Sequence, residues 1–183
     1  MVLKNKRYPS TIKKEVEKAL SYFPELSETY IQFRFKKNIK KSTMQAQPVW
    51  TSFFKPKEER EYQILISEKI QIEEEEFTVS NIPKDVLIGW LGHELGHVMD
   101  YRNRSSFGML LFGFKYLYSK KYMKKAERTA DTFALNHGMG HYILRTKNFI
   151  LDHASMSEKY KNRIRKMYMS PEEVMELLNK AAS

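Results

Sequence analysis

The chain has 183 residues, of which 42% are hydrophobic and 30% charged, a globular composition that excludes a wholly disordered or fibrous chain. Its 32 Lys and Arg against 22 Asp and Glu give a net charge of +10, but the lysines are scattered and accompany no nucleic-acid motif, so nucleic acid is not the expected partner. Cysteine is absent, which excludes a disulfide framework and leaves His, Asp and Glu as the side chains for any metal site.

The first predicted element is a helix capped by Ser10 or Thr11, with Ile12, Val16, Ala19, Leu20 and Phe23 at helical spacing and Pro24 at its end. Three strand-like runs follow, Thr29 to Lys36, Ser42 to Trp50 and Tyr62 to Ser67. Pro48 suits an edge or a strand end. Glu73 to Glu76 reads as a solvated loop or strand margin. A long helix is predicted from about Pro83, in its first turn, to Tyr101. Leu87, Leu91, Leu95 and Val98 form one apolar stripe, and His93 and His97 lie on the opposite side. Phe107 to Tyr118 is rich in aromatics and leucine. A further helix runs from about Lys120 to Asn136, with Gly138 as its C-terminal cap. Ser170-Pro171-Glu172-Glu173 opens a last helix with a capping box and a first-turn proline. One helix, a small sheet and then mainly helices make an α+β chain.

His93-Glu94-Leu95-Gly96-His97 matches H-E-x-x-H. Residues at i and i+4 stand one turn apart on one helical face, so both imidazoles can reach one metal ion, with Glu94 on the flank as a base for a metal-activated water. The alternative is a pair of buried, hydrogen-bonded histidines. A catalytic zinc needs a third protein ligand. Glu127 is the leading candidate, with Asp131 one turn on and placed to accept the free ring N–H of a liganding histidine. The competing reading makes Glu127 and Asp131 a solvent-facing pair beside Lys124, Lys125 and Arg128. Asp100, three residues after His97, is the rival third ligand.

H-E-L-G-H on one helix with Glu127-Arg128-Thr129-Ala130-Asp131 on a later one resembles the gluzincin metallopeptidases, the thermolysin-like branch of the zincins. It is closest to the CAAX-type and heat-shock membrane protease group and its soluble relatives. The resemblance covers Tyr62 to Gly138. It implies a minimal zincin-like fold: a small mixed sheet backed by an N-terminal helix, the H-E-x-x-H helix, then a mainly helical C-terminal part. Residues 1–183 would form a single domain, with an upper lobe about 10–103 and a minimal lower lobe about 104–183. It implies one zinc per chain on His93, His97 and Glu127, Glu94 as general base, and Asp131 supporting the first histidine. It also implies a peptide or protein substrate laid along an edge strand, here Tyr62, Gln63, Ile64, Leu65 and Ile66, unless that strand is interior.

The expected function is therefore zinc-dependent hydrolysis of peptide bonds by a zinc-bound water that Glu94 activates. The alternative is a catalytically weak or inactive zincin-fold module that uses its basic surface on nucleic acid or membrane. No motif identifies the oxyanion-stabilising group among His137, His141, His153, Tyr122 and Tyr142. The family's membrane members carry spanning helices between the two motifs, whereas Phe107 to Tyr118 is too short to span. With Lys120, Lys121, Lys124 and Lys125 after it, this tract can make peripheral membrane contact. The favoured reading is a buried helix with Phe107, Leu111, Phe114 and Tyr118 packed inward. With neither a signal core nor a membrane helix in view, the expected location is cytoplasmic.

Overall fold

Val16, Ala19, Leu20 and Phe23 are buried together, which fixes the inner face of α1 (Lys13–Leu20). The computed structural model describes residues 4–37, 39, 42–72, 75–152 and 158–182 of the chain. The expected side-chain cap at Ser10 or Thr11 is absent. A 3-10 turn, Ser10–Ile12, leads into α1 instead, and Pro24 opens another, Pro24–Leu26.

The alternating strands assemble into one four-stranded mixed sheet: β1 (Lys6–Arg7), β2 (Ile31–Lys36), β3 (Met44–Pro48) and β4 (Tyr62–Ser67), in the order β1-β2-β4-β3. β1, β2 and β4 are parallel, and β3 runs antiparallel to β4 with Ala46 opposite Ile64. Ile31 and Phe33, Met44 and Ala46, and Tyr62, Ile64 and Ile66 are the buried alternate residues, joined in one core with α1 and the long helix Lys84–Arg102. The position of Tyr62–Ser67 is a correction: this strand lies between β2 and β3, and the edges belong to β1 and β3. Pro48 fits in β3, because a residue without an N–H is tolerated on an edge strand. A separate hairpin joins β5 (Lys69–Ile72) to β6 (Glu75–Thr78). Glu75 and Glu76 thus belong to a strand, while Glu73 and Glu74 lie outside the described residues.

Among the described residues six helices follow: α2 (Lys84–Arg102), α3 (Ser106–Tyr118), α4 (Lys120–Asn136), α5 (Gly140–Asp152), α6 (Glu158–Met167) and α7 (Pro171–Ala182). Pro83 is the N-cap of α2 rather than a residue of its first turn. α2 is buried along nearly its whole length, packed against α1, β3, α4 and α5. Leu91 and Leu95 are fully enclosed, and each contributes roughly 2 kcal/mol by leaving water. The histidine face is therefore covered by another helix, α4. Gly96 makes that contact possible, since a Cβ there would fall 2.3 Å from the carbonyl oxygen of Ala130. Gly138, at φ +80°, follows the end of α4 in the left-handed conformation that glycine adopts without strain.

The capping box of α7 forms as its sequence predicts. The Glu173 N–H donates to Ser170 Oγ at 3.2 Å and the Ser170 N–H to Glu173 Oε2 at 2.8 Å. Glu173 also accepts two hydrogen bonds from Arg128, at 2.8 and 3.0 Å, tying α7 to α4.

The orientation of α3 overturns the expected burial of Phe107, Leu111, Phe114 and Tyr118. Met109 and Phe112 are the buried residues, and those four are exposed. Phe112 packs edge-on against Tyr101 and Tyr122 under the Arg104 guanidinium, which fixes the inner face of the helix. No helix among the described residues is long and apolar enough to cross a membrane.

Candidate metal centre

One turn of α2 separates His93 from His97, and their rings meet edge to face with centroids 4.8 Å apart. α4 brings up Glu127, whose Oε2 lies 3.1 Å from His93 Nε2 and 3.6 Å from His97 Nε2. One ligand atom from each of the three residues lies within 4.8 Å of the other two, the only such group of metal-ligating side chains among the described residues. The Tyr116 hydroxyl, on α3, donates to Glu127 Oε1 at 2.5 Å, leaving Oε2 toward the histidines.

Asp131 Oδ1 is 2.9 Å from His93 Nδ1. Its other oxygen accepts from Lys147 Nζ on α5 at 2.7 Å and from the Met169 N–H at 3.3 Å. Asp131 and Lys147 are 1% and 6% exposed, so this is a buried ion pair behind the histidine. Burial would lower the pKa of His93, but its hydrogen bonds to Asp131 and Glu127 outweigh this and raise it to about 10. Burial likewise opposes ionisation of both carboxylates. The histidine contacts nevertheless hold Glu127 well below the usual carboxylate range, and Lys147 with His93 holds Asp131 at about 2.

Glu94 stands apart from the three. Its Oε2 accepts the Ala46 N–H of β3 at 2.6 Å. Burial pushes its pKa up, and the attraction of His97 and His93 opposes that shift. Tyr101 stacks on His97, and the Tyr168 ring lies 5.7 Å from His93. His97 Nδ1 is buried without a hydrogen-bond partner, while its Nε2 faces Glu127.

The donor set fits a divalent metal ion. Two imidazole nitrogens and a carboxylate oxygen converge, and Asp131 and Tyr116 orient two of the three ligands from behind. Asp100 is not part of this group. It forms a bidentate pair with Arg104, at 2.8 and 2.9 Å, just past the end of α2. Of the residues left open for the oxyanion, His137 binds Glu25 and the Phe133 carbonyl, Tyr122 accepts from Arg104, and Tyr142 packs on Tyr22. His141 contacts the ring of Tyr142, and His153 lies outside the described residues. Tyr116, Lys147 and Tyr168, which no motif marks, are the residues the structure adds to the centre.

Comparison of the chain with protein-family models, with curated proteins and with solved structures found no match.

Proposed function

We propose that the chain is a zinc-dependent metallopeptidase of zincin-like fold that hydrolyses peptide bonds in a peptide or protein substrate. The observation that carries this reading is the convergence of His93, His97 and Glu127 with a second, non-converging carboxylate, Glu94, fixed beside them. A purely structural metal site has no use for that carboxylate. Two imidazoles and one carboxylate suit zinc better than magnesium or calcium, which take oxygen ligands, and the site takes one ion per chain. When bound, zinc supplies Lewis acidity that lowers the pKa of water to ~7 and polarises a carbonyl.

The remaining chemistry belongs to the chain. Glu94 takes the proton of the attacking water and passes it to the leaving amine, a role that its burial-raised pKa suits. Asp131 fixes the tautomer and orientation of His93, and Tyr116 fixes one oxygen of Glu127. β3 takes over the substrate-binding role expected of Tyr62 to Ile66. Thr43 and Val49 turn their backbone groups toward β4, so by alternation Met44 and Ala46 turn theirs outward, beside Glu94. The Ala46 N–H and carbonyl are held by Glu94 and the Tyr101 hydroxyl, and the Met44 carbonyl by Ser42, so an extended peptide adds to that edge by exchanging its main-chain hydrogen bonds for these contacts.

Incubating the zinc-loaded chain with a mixed peptide library, read by mass spectrometry, tests the proposal. New termini are expected that disappear with a chelator and return with added zinc. An intact library, or cleavage indifferent to the chelator, contradicts it.

A further inference from the structure

The outer face of α3 is the largest feature the metal centre does not explain. Phe107, Leu110, Leu111, Phe114, Leu117 and Tyr118 are all exposed, Phe107 at 76% and Tyr118 at 77%. At 100° per residue they fall within about one third of the helix circumference and form one continuous stripe. The turn carrying the exposed Trp50 and Phe54 is joined to the first turn of α3, where Ser106 Oγ donates to the Phe53 carbonyl at 3.0 Å. An apolar surface of this extent is a partner site rather than ordinary surface.

Charge selects the partner. Between Asp100 and Glu127 the sequence has no acidic residue and seven cations, Arg102, Arg104 and five lysines. Lys115 stands on the flank of the stripe, and Lys120 and Lys121 follow its C-terminal end immediately; all three are exposed. A second copy packed parallel would bring two such lysine sets together, which is repulsive, and one packed antiparallel would leave both sets without a counter-charge. An anionic surface meets both the lysines and the apolar stripe. With 13 residues at 1.5 Å each, α3 is about 20 Å long, short of a ~30 Å hydrocarbon core, so it lies in the interface plane.

We propose that this face docks the chain onto an anionic phospholipid bilayer, with α3 in the plane of the interface. The docking is independent of the metal chemistry. Its consequence is positional: Tyr116, on the opposite side of the same helix, reaches Glu127, so the metal centre is held one helix away from the lipid.

The test is co-sedimentation of the full chain with two sets of vesicles, phosphatidylcholine alone and phosphatidylcholine with 30% phosphatidylglycerol. Two variants run beside it, Phe114→Glu/Leu117→Glu on the stripe and Lys120→Gln/Lys121→Gln at its end, each checked by circular dichroism for its helix content. All four positions are exposed, so folding is expected to survive. Binding to the anionic vesicles is expected to weaken with salt. It should be lost in the stripe variant and fall about 25-fold in the lysine variant, at roughly fivefold per lysine. Equal binding to both vesicles, no binding to either, or a folded stripe variant that still binds overturns the proposal. So does a concentration-dependent dimer that Phe114→Glu/Leu117→Glu abolishes while wild type ignores vesicles, since the face then belongs to a second copy.

Discussion

Glu94→Gln is expected to lower kcat/KM for peptide cleavage by about 10³-fold, within the range by which a positioned general base accelerates proton transfer, while leaving zinc content unchanged. The substitution keeps the shape of the side chain, and its amide oxygen can still accept the Ala46 N–H that holds Glu94 at the β3 edge. What it removes is the ability to take a proton. Because Glu94 lies outside the converging group of His93, His97 and Glu127, zinc should bind as before. Measuring cleavage of one peptide identified from the library, alongside zinc per chain, separates the two effects. A variant that keeps its zinc and cleaves within tenfold of wild type removes Glu94 from the chemistry. A variant that loses its zinc makes Glu94 part of the coordination instead.

The second large effect is expected at Lys147, which lies outside the converging group of His93, His97 and Glu127. Its ammonium pairs with Asp131 in the interior, and Asp131 in turn holds His93. Lys147→Met keeps most of the side-chain volume but strands a buried carboxylate, a loss of about 3 kcal/mol for a broken interior ion pair. Zinc affinity should fall about 10- to 100-fold as the support of His93 weakens. Denaturant unfolding with and without zinc reads both quantities. The double variant Lys147→Met/Asp131→Asn is the control. Removing both charges leaves none stranded, so it should recover part of the stability lost in either single variant. It should not recover zinc affinity, because a neutral amide supports His93 less well than the Asp131 carboxylate does. Strictly additive stability losses would show that Lys147 and Asp131 do not act as a pair.

How much of this was legible in the sequence depended on whether a feature was local. The His93–His97 spacing and the Ser170–Glu173 capping box are set by helical geometry over three or four residues, and the structure has both. The i, i+4 spacing of Glu127 and Asp131 places two carboxylates on one helical face, but only the packing of α4 on α2 turns that face to the histidines rather than to solvent. Non-local order was not legible. The alternation of Tyr62–Ser67 marks a strand, but it does not say that β3 would fold back beside β4 and take the edge from it. The spacing of Phe107, Leu111, Phe114 and Tyr118 marks a stripe, but not which side of the helix the rest of the chain covers. There the contacts of Phe112 and Tyr116 decide the orientation. Lys147 carries no pattern at all. Its partner is 16 residues away on another helix, so only packing reveals it.

Metal content tests most directly whether His93, His97 and Glu127 hold one metal ion. Wild type and Glu127→Gln are purified side by side without added metal, and zinc per chain is measured by mass spectrometry. One zinc per wild-type chain, lost in Glu127→Gln while the variant stays folded, is the expected result. An empty wild type that also takes up no zinc on titration, or a Glu127→Gln chain that keeps its full zinc, would contradict the assignment.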